Sequence, residues 1–330
     1  MDQKENALRI IHFDQPGWVM DKPPSFMVTY QGSDHEGYEG IGDEHPSGSR
    51  WKDIWGVVWH KVMDGVMGFP DVNPLSEPNL LKNYSWPDPN DPRVYKRIYS
   101  SSLEIPDESL FITGSHRDTL WEKAYMLVGM ENLMVYFFTE PEFVKEVLHK
   151  IMDFQLGIAE HYLAIGVEMV KLSDDLGTQT GPLLSPKIVN EFLYPEYQRL
   201  FTLYKDRGVL INFHSCGNVF LILEPLIQLG ADILNPVQAS ANDLQKLREI
   251  TQGRLALQGG VNSNVVLDGP AEEIFATVKS RIYTLGKDGG YFCCQDQAFP
   301  YPQEHLKALS TAIALYGRYP LPQEFSIRDG

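Results

Sequence analysis

Seven short apolar runs recur along the chain, and most of them precede a segment with helical apolar spacing. Runs of this length are typical of buried strands, and they occupy residues 25–30, 110–113, 167–172, 209–213, 231–234, 255–257 and 289–294. From residue 139 onward, five β-then-α units follow one another, each about 20 to 40 residues long. Such connections are right-handed and predict a parallel sheet.

The number of units favours a closed barrel. Two or three further units in the first 140 residues bring the count to eight strands. A doubly wound open sheet is the alternative, but no G-x-G-x-x-G follows the first run and no other Gly-rich phosphate loop occurs. We therefore predict an α/β fold, a (β/α)8 TIM barrel, as a single domain over residues 1–330.

Two segments interrupt the pattern near the amino terminus. Residues 31–50 are polar and glycine-rich, which predicts a long loop that is either a solvated surface loop or an active-site lid. Residues 51–92 are dense in tryptophan and proline. That composition predicts an irregular, packed excursion from the barrel, decorated with short strands, rather than a separate domain.

Charge and composition exclude several classes of function. The chain has 28 Lys and Arg against 44 Asp and Glu, a net charge of −16, and no basic run, so nucleic acid is not an expected partner. Residues 1–9 are polar, unlike a secretory signal, and no apolar stretch is long enough to span a membrane. Three cysteines do not suggest a disulfide framework. We expect a cytoplasmic protein.

The most informative stretch is V-L-I-N-F-H-S-C-G-N-V at residues 209–219. A buried strand there ends in a turn that holds His214 and Cys216, at the strand end where α/β proteins place their chemistry. Imidazole and thiolate together suit zinc better than magnesium or calcium. The alternative is a buried histidine bonded to backbone beside an inert core cysteine.

Residues that follow the other predicted strands are also polar, and all three cysteines fall among them, which favours a metal site. Successive strand residues face opposite sides, so only one of Cys293 and Cys294 can face the barrel axis. Cys294 is favoured, with Cys293 packed among the outer helices. The predicted zinc ligands are His214, Cys216 and Cys294, with the fourth position open as in catalytic zinc sites.

The same strand ends supply candidate substrate-binding residues: Tyr30, His35, His116, Asp174, Gln179, Gln238 and Gln258. Asp174 and Asp175 are expected either to orient His214 or to bind substrate, and Asp174 joins His214 as a predicted catalytic residue. The alternative for the two aspartates is a water-exposed cap. For the glutamines it is hydrogen bonding within a turn.

Several segments together resemble the uroporphyrinogen decarboxylase superfamily over nearly the whole chain. They include A-L-R-I-I-H-F-D-Q-P near the start, D-I-W-G at 53–56, D-D-L-G-T-Q at 174–179, L-L-S-P-K-I-V-N-E-F-L-Y-P at 183–195, F-H-S-C-G-N-V at 213–219, L-G-A-D-I-L-N-P at 229–236, G-G-V-N at 259–262 and P-Q-E-H-L-K-A-L at 302–309. The resemblance implies a distorted (β/α)8 barrel.

The resemblance implies one of two chemistries. Decarboxylases of the superfamily act on a porphyrinogen without metal and carry an arginine-rich R-Q-A-G-R segment near the amino terminus, whereas residues 14–22 here hold no arginine. Cobalamin-dependent methyltransferases carry H-x-C and a later cysteine as zinc ligands, and His214 and Cys216 match that motif. An ungapped comparison from Gly289 places Gln297 at the later cysteine, whereas counting back from the last helix leads to a position next to Cys294.

The methyltransferase branch implies a zinc enzyme that moves a methyl group between a small methylated substrate and a corrinoid protein. The aromatic content of residues 51–86 suggests a methoxylated aromatic substrate. The corrinoid protein is expected to be a separate partner, because the chain has no D-x-H-x-x-G-type cobalamin signature. The alternatives are decarboxylation of a polycarboxylate and a non-enzymatic ligand-binding barrel.

Overall fold

The computed structural model describes residues 1–39 and 45–322. In chain order the strands are β1 (Ser25–Val28), β2 (Arg50–Lys52), β3 (Val58–His60), β4 (Phe69–Val72), β5 (Phe111–His116), β6 (Met169–Ser173), β7 (Leu210–His214), β8 (Ile233–Val237), β9 (Ala256–Val261) and β10 (Tyr291–Gln295). Within the described ranges, seven of them form one parallel sheet in the order β1-β5-β6-β7-β8-β9-β10. All seven strands predicted from the apolar runs are present.

Helices follow most strands of the parallel sheet. They are α1 (Gln3–Ile11), α2 (Pro92–Ser102), α3 (Trp121–Val128), α4 (Met130–Thr139), α5 (Pro141–Ala164), α6 (Pro186–Ile188), α7 (Tyr194–Lys205), α8 (Phe220–Leu229), α9 (Leu244–Thr251), α10 (Ser263–Asp268), α11 (Ala271–Leu285) and α12 (Gln303–Tyr316), with a 3-10 turn at Pro78–Asn83 and a π-helical turn at Val189–Leu193. In α5, Val144, Val147, Ile151 and Ile158 are fully buried at helical spacing and form the stripe that faces the sheet. The TIM-barrel-like α/β architecture is confirmed.

The amino-terminal segment touches both edges of the parallel sheet. Met20 pairs with Phe292 of β10, and Ser25 of β1 pairs with Phe111 of β5. The parallel sheet of the described residues is therefore curled, with seven strands rather than the eight counted from the sequence, and an isolated bridge at Met20 links the segment before β1 to β10. The stretch around Met20 makes only an isolated bridge because Pro23 and Pro24 follow, and proline has no N–H to extend a strand ladder.

Helix α1 covers the amino-terminal end of the barrel. Its Ala7, Ile10 and Ile11 form a buried apolar cluster with residues at the start of successive strands. These partners are Phe111, Met169, Leu210, Ile233, Ala256 and Phe292, with Met20 from the closing segment. The opposite end, where the strands finish, is left for a cavity.

The excursion between β1 and β5 contains three short strands. Strands β2, β3 and β4 form a small antiparallel sheet. The carboxylate of Asp53 organises it, accepting hydrogen bonds from the backbone N–H groups of Trp55 (2.9 Å) and Val57 (3.0 Å) and from Trp59 Nε1 (2.9 Å). Trp55 packs against Phe154 of α5 with ring centroids 4.6 Å apart, so the tryptophans anchor the excursion to the barrel.

Across residues 1–39 and 45–322, none of the helices combines the length and the apolar character needed to cross a membrane.

A candidate metal centre at the mouth of the barrel

His214 and Cys216 meet at the carboxyl end of the sheet. His214 is the last residue of β7 and pairs in register with Ser173, the last residue of β6. The chain then turns, and Cys216 Sγ lies 3.5 Å from His214 Nε2. The two side chains therefore present a nitrogen and a sulfur to the same space, as the H-x-C pattern predicts.

The third donor is Asp175. Its Oδ1 lies 3.6 Å from His214 Nε2 and accepts a hydrogen bond from the Cys216 backbone N–H at 2.8 Å. One ligand atom from each of these residues lies within 4.8 Å of the other two, and among the described residues no other such group of three His, Cys, Asp or Glu occurs. We call Asp175, His214 and Cys216 the donor triad.

The turns that carry the donor triad press directly on each other. Gly217 has φ +81°, and a Cβ there would lie 2.5 Å from the backbone carbon of Gly177. A Cβ on Gly177 would in turn lie 2.6 Å from the carbonyl oxygen of Cys216. Only glycine fits at both places, because the Cβ atoms of other residues essentially never lie within 3.0 Å of a non-bonded backbone atom.

Amide side chains from the loop after β8 hold the same turn. Gln238 Oε1 accepts a hydrogen bond from the Gly217 N–H at 2.7 Å, and Asn242 Nδ2 donates to the Gly217 carbonyl at 2.9 Å. Gln238 is buried. It was predicted to bind substrate, but its side chain is engaged in positioning the Cys216 turn.

Electrostatics at the donor triad favour a cation. Burial and, to a smaller extent, the Lys171 ammonium lower the pKa of His214 to about 4, so the imidazole is neutral at pH 7 with a lone pair available. Burial, followed by the Asp175 carboxylate, raises the pKa of Cys216 to about 12. Without a cation the thiol keeps its proton, and a metal that binds here must displace it.

The donor set fits zinc. Nitrogen, sulfur and carboxylate oxygen are the three ligand types that zinc takes in proteins. With bonds of about 2.0–2.3 Å, the donors of a tetrahedral site lie about 3.3–3.8 Å apart. The measured separations of 3.5 and 3.6 Å fall in that range.

Cys294, predicted as the third ligand, is not a member of the donor triad. It pairs in register with Gly260, and its Sγ is the acceptor of a long contact (3.8 Å) from Gln258 Nε2 inside the barrel. Gln297 lies closer to the metal centre, with its Nε2 donating to Cys216 Sγ at 3.2 Å. The ungapped comparison, which placed Gln297 at the third position, agrees with this geometry. Cys293 is fully buried and packs within the hydrophobic core.

Asp174 faces away from the metal centre. Its carboxylate is fully buried and accepts hydrogen bonds from the N–H groups of Leu120 (2.7 Å) and Glu122 (2.8 Å) and from the Tyr197 hydroxyl (2.5 Å). Asp174 therefore caps the amino terminus of α3. The catalytic role predicted for Asp174 does not fit this place in the structure, where Asp175 occupies the position facing His214.

A cavity of about 430 Å³ opens beside the donor triad. Its wall combines methionine and tyrosine side chains with charged groups, and it is lined by Met27, Asp34, Met67, Ser115, Arg117, Asp118, Glu122, Tyr125, Met126, Lys171, Ser173, Asp175 and His214. A small organic molecule fits a cavity of this size. His214 and Asp175 belong to its lining, so a bound molecule reaches the metal centre.

Lys171 and Glu122 are charged residues of this cavity that were not predicted from the sequence. Lys171 lies on β6, and burial together with the Arg117 guanidinium lowers its pKa. Glu122 lies in the first turn of α3, and burial together with the Asp118 carboxylate raises its pKa to about 9. The signal for Lys171 was a lysine within an otherwise apolar predicted strand. Glu122 had no such signal.

Three predicted substrate-binding residues are buried away from this cavity. Tyr30 is fully buried and packs on Phe154. His116 is also fully buried, and its ring nitrogens contact Gln155 Oε1 (2.7 Å) and the Tyr204 hydroxyl (2.5 Å). The ring centroid of His35 lies 4.1 Å from that of Trp59, and His35 Nδ1 lies 3.3 Å from Asp118 Oδ2. Asp118 lines the cavity, whereas His35 does not.

The remaining two predicted residues lie on either side of the metal centre. Gln179 is exposed beyond the Gly177 turn and accepts a hydrogen bond from the Ser240 hydroxyl at 3.3 Å. Gln258 lies inside the barrel, where its Oε1 is 3.4 Å from Asn212 Nδ2. Both remain candidates for contact with a substrate.

Comparisons with known proteins agree with this architecture. Residues 74–309 match the family described as uroporphyrinogen decarboxylase (URO-D). A uroporphyrinogen decarboxylase of Prochlorococcus marinus strain NATL1A is 23% identical over 82% of this chain and 84% of its own length, and that of strain NATL2A is 23% identical over 77% and 81%. Among solved structures, a methyltransferase from Methanosarcina mazei has a TM-score of 0.67 at 17% identity, covering 96% of this chain and 99% of its own. That likeness shows a shared fold.

Proposed function

The chain belongs to the uroporphyrinogen decarboxylase (URO-D) family, and we propose that it is a zinc-dependent methyltransferase working with a corrinoid protein. In this proposal the enzyme moves a methyl group between a small methylated substrate, such as a methoxylated aromatic, and the corrinoid. The observation that carries it is the donor triad of Asp175, His214 and Cys216 at the edge of a cavity that is open on one side. The superfamily holds both methyltransferases and decarboxylases.

Zinc held by these side chains supplies Lewis-acid polarisation of the heteroatom that carries the methyl group. The protein contributes a prearranged set of donors. Asp175 fixes the Cys216 turn through the Cys216 backbone N–H, and His214 is neutral at pH 7 because it is buried. The methionine and tyrosine side chains of the cavity wall exclude water around the substrate.

An exposed apolar surface beside the cavity supports docking of a corrinoid protein. It comprises Val62, Met63, Val66, Met67 and Phe69, which we call the mouth patch, and their exposed fractions range from 38% to 58%. Met67 belongs both to this patch and to the cavity wall. A partner seated on the mouth patch therefore covers the cavity, which is where a cobalt atom must approach the substrate's methyl group.

Decarboxylation of a porphyrinogen is the second candidate, because the curated relatives carry that name. A polycarboxylate requires several free cations. The cavity has one arginine, Arg117, and its guanidinium already pairs with Asp34 at 2.8 Å. Four carboxyl groups line the same wall, which disfavours a substrate with many negative charges: Asp34, Asp118, Glu122 and Asp175.

Metal analysis combined with a methyl-transfer assay tests the proposal. We expect about one zinc per chain and zinc-dependent methylation of a cobalt(I) corrinoid, followed by its absorbance, from a panel of methoxylated aromatics, methylamines and methanol. His214→Ala is expected to lose both zinc and turnover, whereas His12→Ala, at an exposed position, retains both. Metal-independent release of carbon dioxide from a porphyrinogen, without methyl transfer, overturns the proposal.

A further inference from the structure

Lys171 places an ammonium group inside the barrel. It is the third residue of β6, paired in register with Ser115 of β5 and Asn212 of β7, and its side chain lines the cavity. Because strand residues alternate in direction, Lys171 faces the same side as Ser173, which also lines the cavity. A lysine inside a barrel is expensive in free energy unless it meets an anion.

The cations next to Lys171, one in the cavity wall and one behind it, already have partners. Arg117 pairs with Asp34 at 2.8 Å, and Lys123 lies 3.5 Å from the Asp118 carboxylate. For Lys171, by contrast, residues 1–39 and 45–322 supply neither a hydrogen bond nor an ion pair to the ammonium group. The donor triad does not add negative charge once zinc is bound, because Zn²⁺ balances the Cys216 thiolate and the Asp175 carboxylate.

The polar atoms next to Lys171 are also underused. Asn212 Oδ1, on the neighbouring strand, is buried and without a hydrogen-bond partner among the described residues. The Ser115 and Ser173 side chains lie on the same wall. The Lys171 ammonium and the two serine hydroxyls are donors for an anion, whereas Asn212 Oδ1 only accepts hydrogen bonds and does not contribute to binding one. Met27, Met126 and Tyr125 supply an apolar surface for the rest of the molecule.

Lys171 lines the same cavity as two members of the donor triad, His214 and Asp175. Lys171 precedes Ser173 by two residues, and Ser173 pairs with His214. At about 3.3 Å per strand residue, the backbone of Lys171 lies about 7 Å deeper in the barrel than that of His214. A one-ring molecule with its anionic end at Lys171 therefore occupies the cavity that the donor triad borders.

We propose that Lys171 binds a single carboxylate of the substrate, so that the substrate class is a methylated compound with an apolar, one-ring body and one carboxylate. The location of the methyl group rests on the function proposed above, whereas the anion rests on Lys171. One ammonium group matches a monoanion. A phosphate needs more donors than one lysine provides, such as a glycine-rich loop, and the sequence has none.

Equilibrium binding to the zinc-loaded protein tests this assignment without any turnover. The probes are 3-methoxybenzoate and 3-methoxybenzamide, which match in shape and differ in charge. Wild type is expected to bind the benzoate about 10- to 100-fold more tightly. Lys171→Met is expected to remove that preference, Lys171→Arg to keep most of it, and Lys150→Met, an exposed lysine on α5, to leave it unchanged.

The melting temperature and zinc content of each variant show that the site is intact. Equal affinity for the two probes in wild type, an unchanged preference in Lys171→Met, or no measurable binding of the benzoate overturns the inference. Failure of the proposed function looks different. If binding depends on charge but no methyl transfer occurs, the proposed function is wrong and the anion site stands. If methyl transfer occurs only from neutral ethers, the function stands and the carboxylate assignment is wrong.

Discussion

Asp174 and Asp175 are adjacent in the chain, yet their carboxylates have different partners: backbone N–H groups at the start of α3 for Asp174, and the His214–Cys216 turn for Asp175. Asp174 is fully buried beneath the first turn of α3, whereas Asp175 Oδ1 lies 3.6 Å from His214 Nε2. The first position therefore stabilises the fold, and the second belongs to the proposed metal centre. Substitutions at the two residues separate these roles.

Asp174→Asn is expected to lower the free energy of unfolding by about 2–3 kcal/mol, because an amide replaces a buried acceptor of charge-assisted hydrogen bonds. Zinc bound per folded chain stays unchanged. Asp175→Asn is the matched comparison, in which the free energy of unfolding of the metal-free protein changes little and zinc affinity falls at least about tenfold. Urea unfolding and chelator competition measure the two quantities. A loss of zinc in both variants contradicts this division of roles.

The third ligand position can be tested by exchanging sulfur and amide. Gln297→Cys is expected to raise zinc affinity at least about tenfold, because its side chain contacts Cys216 Sγ and a thiolate binds zinc more strongly than an amide. Cys294→Ser is expected to leave the affinity unchanged. If Cys294→Ser instead lowers zinc affinity as far as Cys216→Ser does, Cys294 is the ligand, as predicted from the sequence.

The close approach of Gly177 and Gly217 predicts an intolerance to any side chain. Gly177→Ala forces the Cys216 turn to move, since the new Cβ would lie 2.6 Å from the Cys216 carbonyl oxygen. We expect zinc affinity to fall. The free energy of unfolding is expected to fall by about 1–3 kcal/mol, which lowers the melting temperature by several degrees. Gly181→Ala is the control, because a Cβ there meets nothing within 4 Å. Similar behaviour of the two variants contradicts a role for the contact.

The buried imidazole of His116 predicts a pH-dependent contribution to stability. Burial lowers the pKa of His116 to about 4, below the ordinary value of 6.5, so between these values the unfolded chain binds a proton that the folded chain does not. Stability from this residue is present above pH 6.5 and is lost on acidification. From pH 7 to pH 5, wild type should lose about 2 kcal/mol relative to His116→Gln.

Urea unfolding at the two pH values measures this difference. His12→Gln, at an exposed position, controls for replacing a histidine and should follow wild type. His116 contacts Gln155 and Tyr204 rather than the donor triad, so zinc affinity of the variant is expected to stay unchanged. If the difference in free energy of unfolding between wild type and His116→Gln is the same at both pH values, the pKa of His116 is not lowered in the folded protein.

The mouth patch predicts a defect specific to the protein partner. Phe69→Glu places a charge on an exposed apolar surface and is expected to slow methyl transfer to a corrinoid protein at least about tenfold, while transfer to free cob(I)alamin is unaffected. Leu103→Glu, at an 88% exposed position after α2, serves as the control. An equal loss with both acceptors points to a damaged cavity instead of a docking surface.

Apolar periodicity predicted the strands and the His214–Cys216 pair because a buried strand ending in a polar turn is a local property. The third donor is not local. The strand order brings Asp175 beside β7. The alternation of side-chain direction along β6 cannot predict where Asp175 points, because β6 ends at Ser173 and the chain turns there. His116 illustrates the converse, since β5 continues through it and alternation from Ser115 directs it outward, away from the cavity.

Lys171 shows a different limit. A cation within an apolar run contradicts the usual expectation for a buried strand, and such conflicts between local pattern and fold are typical of functional positions. The sequence contains the residue but not its lack of a partner, which depends on Arg117 and Asp34 pairing with each other. The environment of Glu122 could not be predicted either, because its burial and its neighbour Asp174 come from three-dimensional packing.

The bridge between Met20 and Phe292 joins residues that are far apart in the chain. During synthesis on the ribosome, the stretch around Met20 is made before the strands of the parallel sheet but has to wait for β10 before it can pair. Until then the edge of β1 that lacks a neighbour and the apolar face of α1 have no permanent cover. Nascent chains of this protein therefore depend on late, long-range closure, the kind of step at which chaperones act.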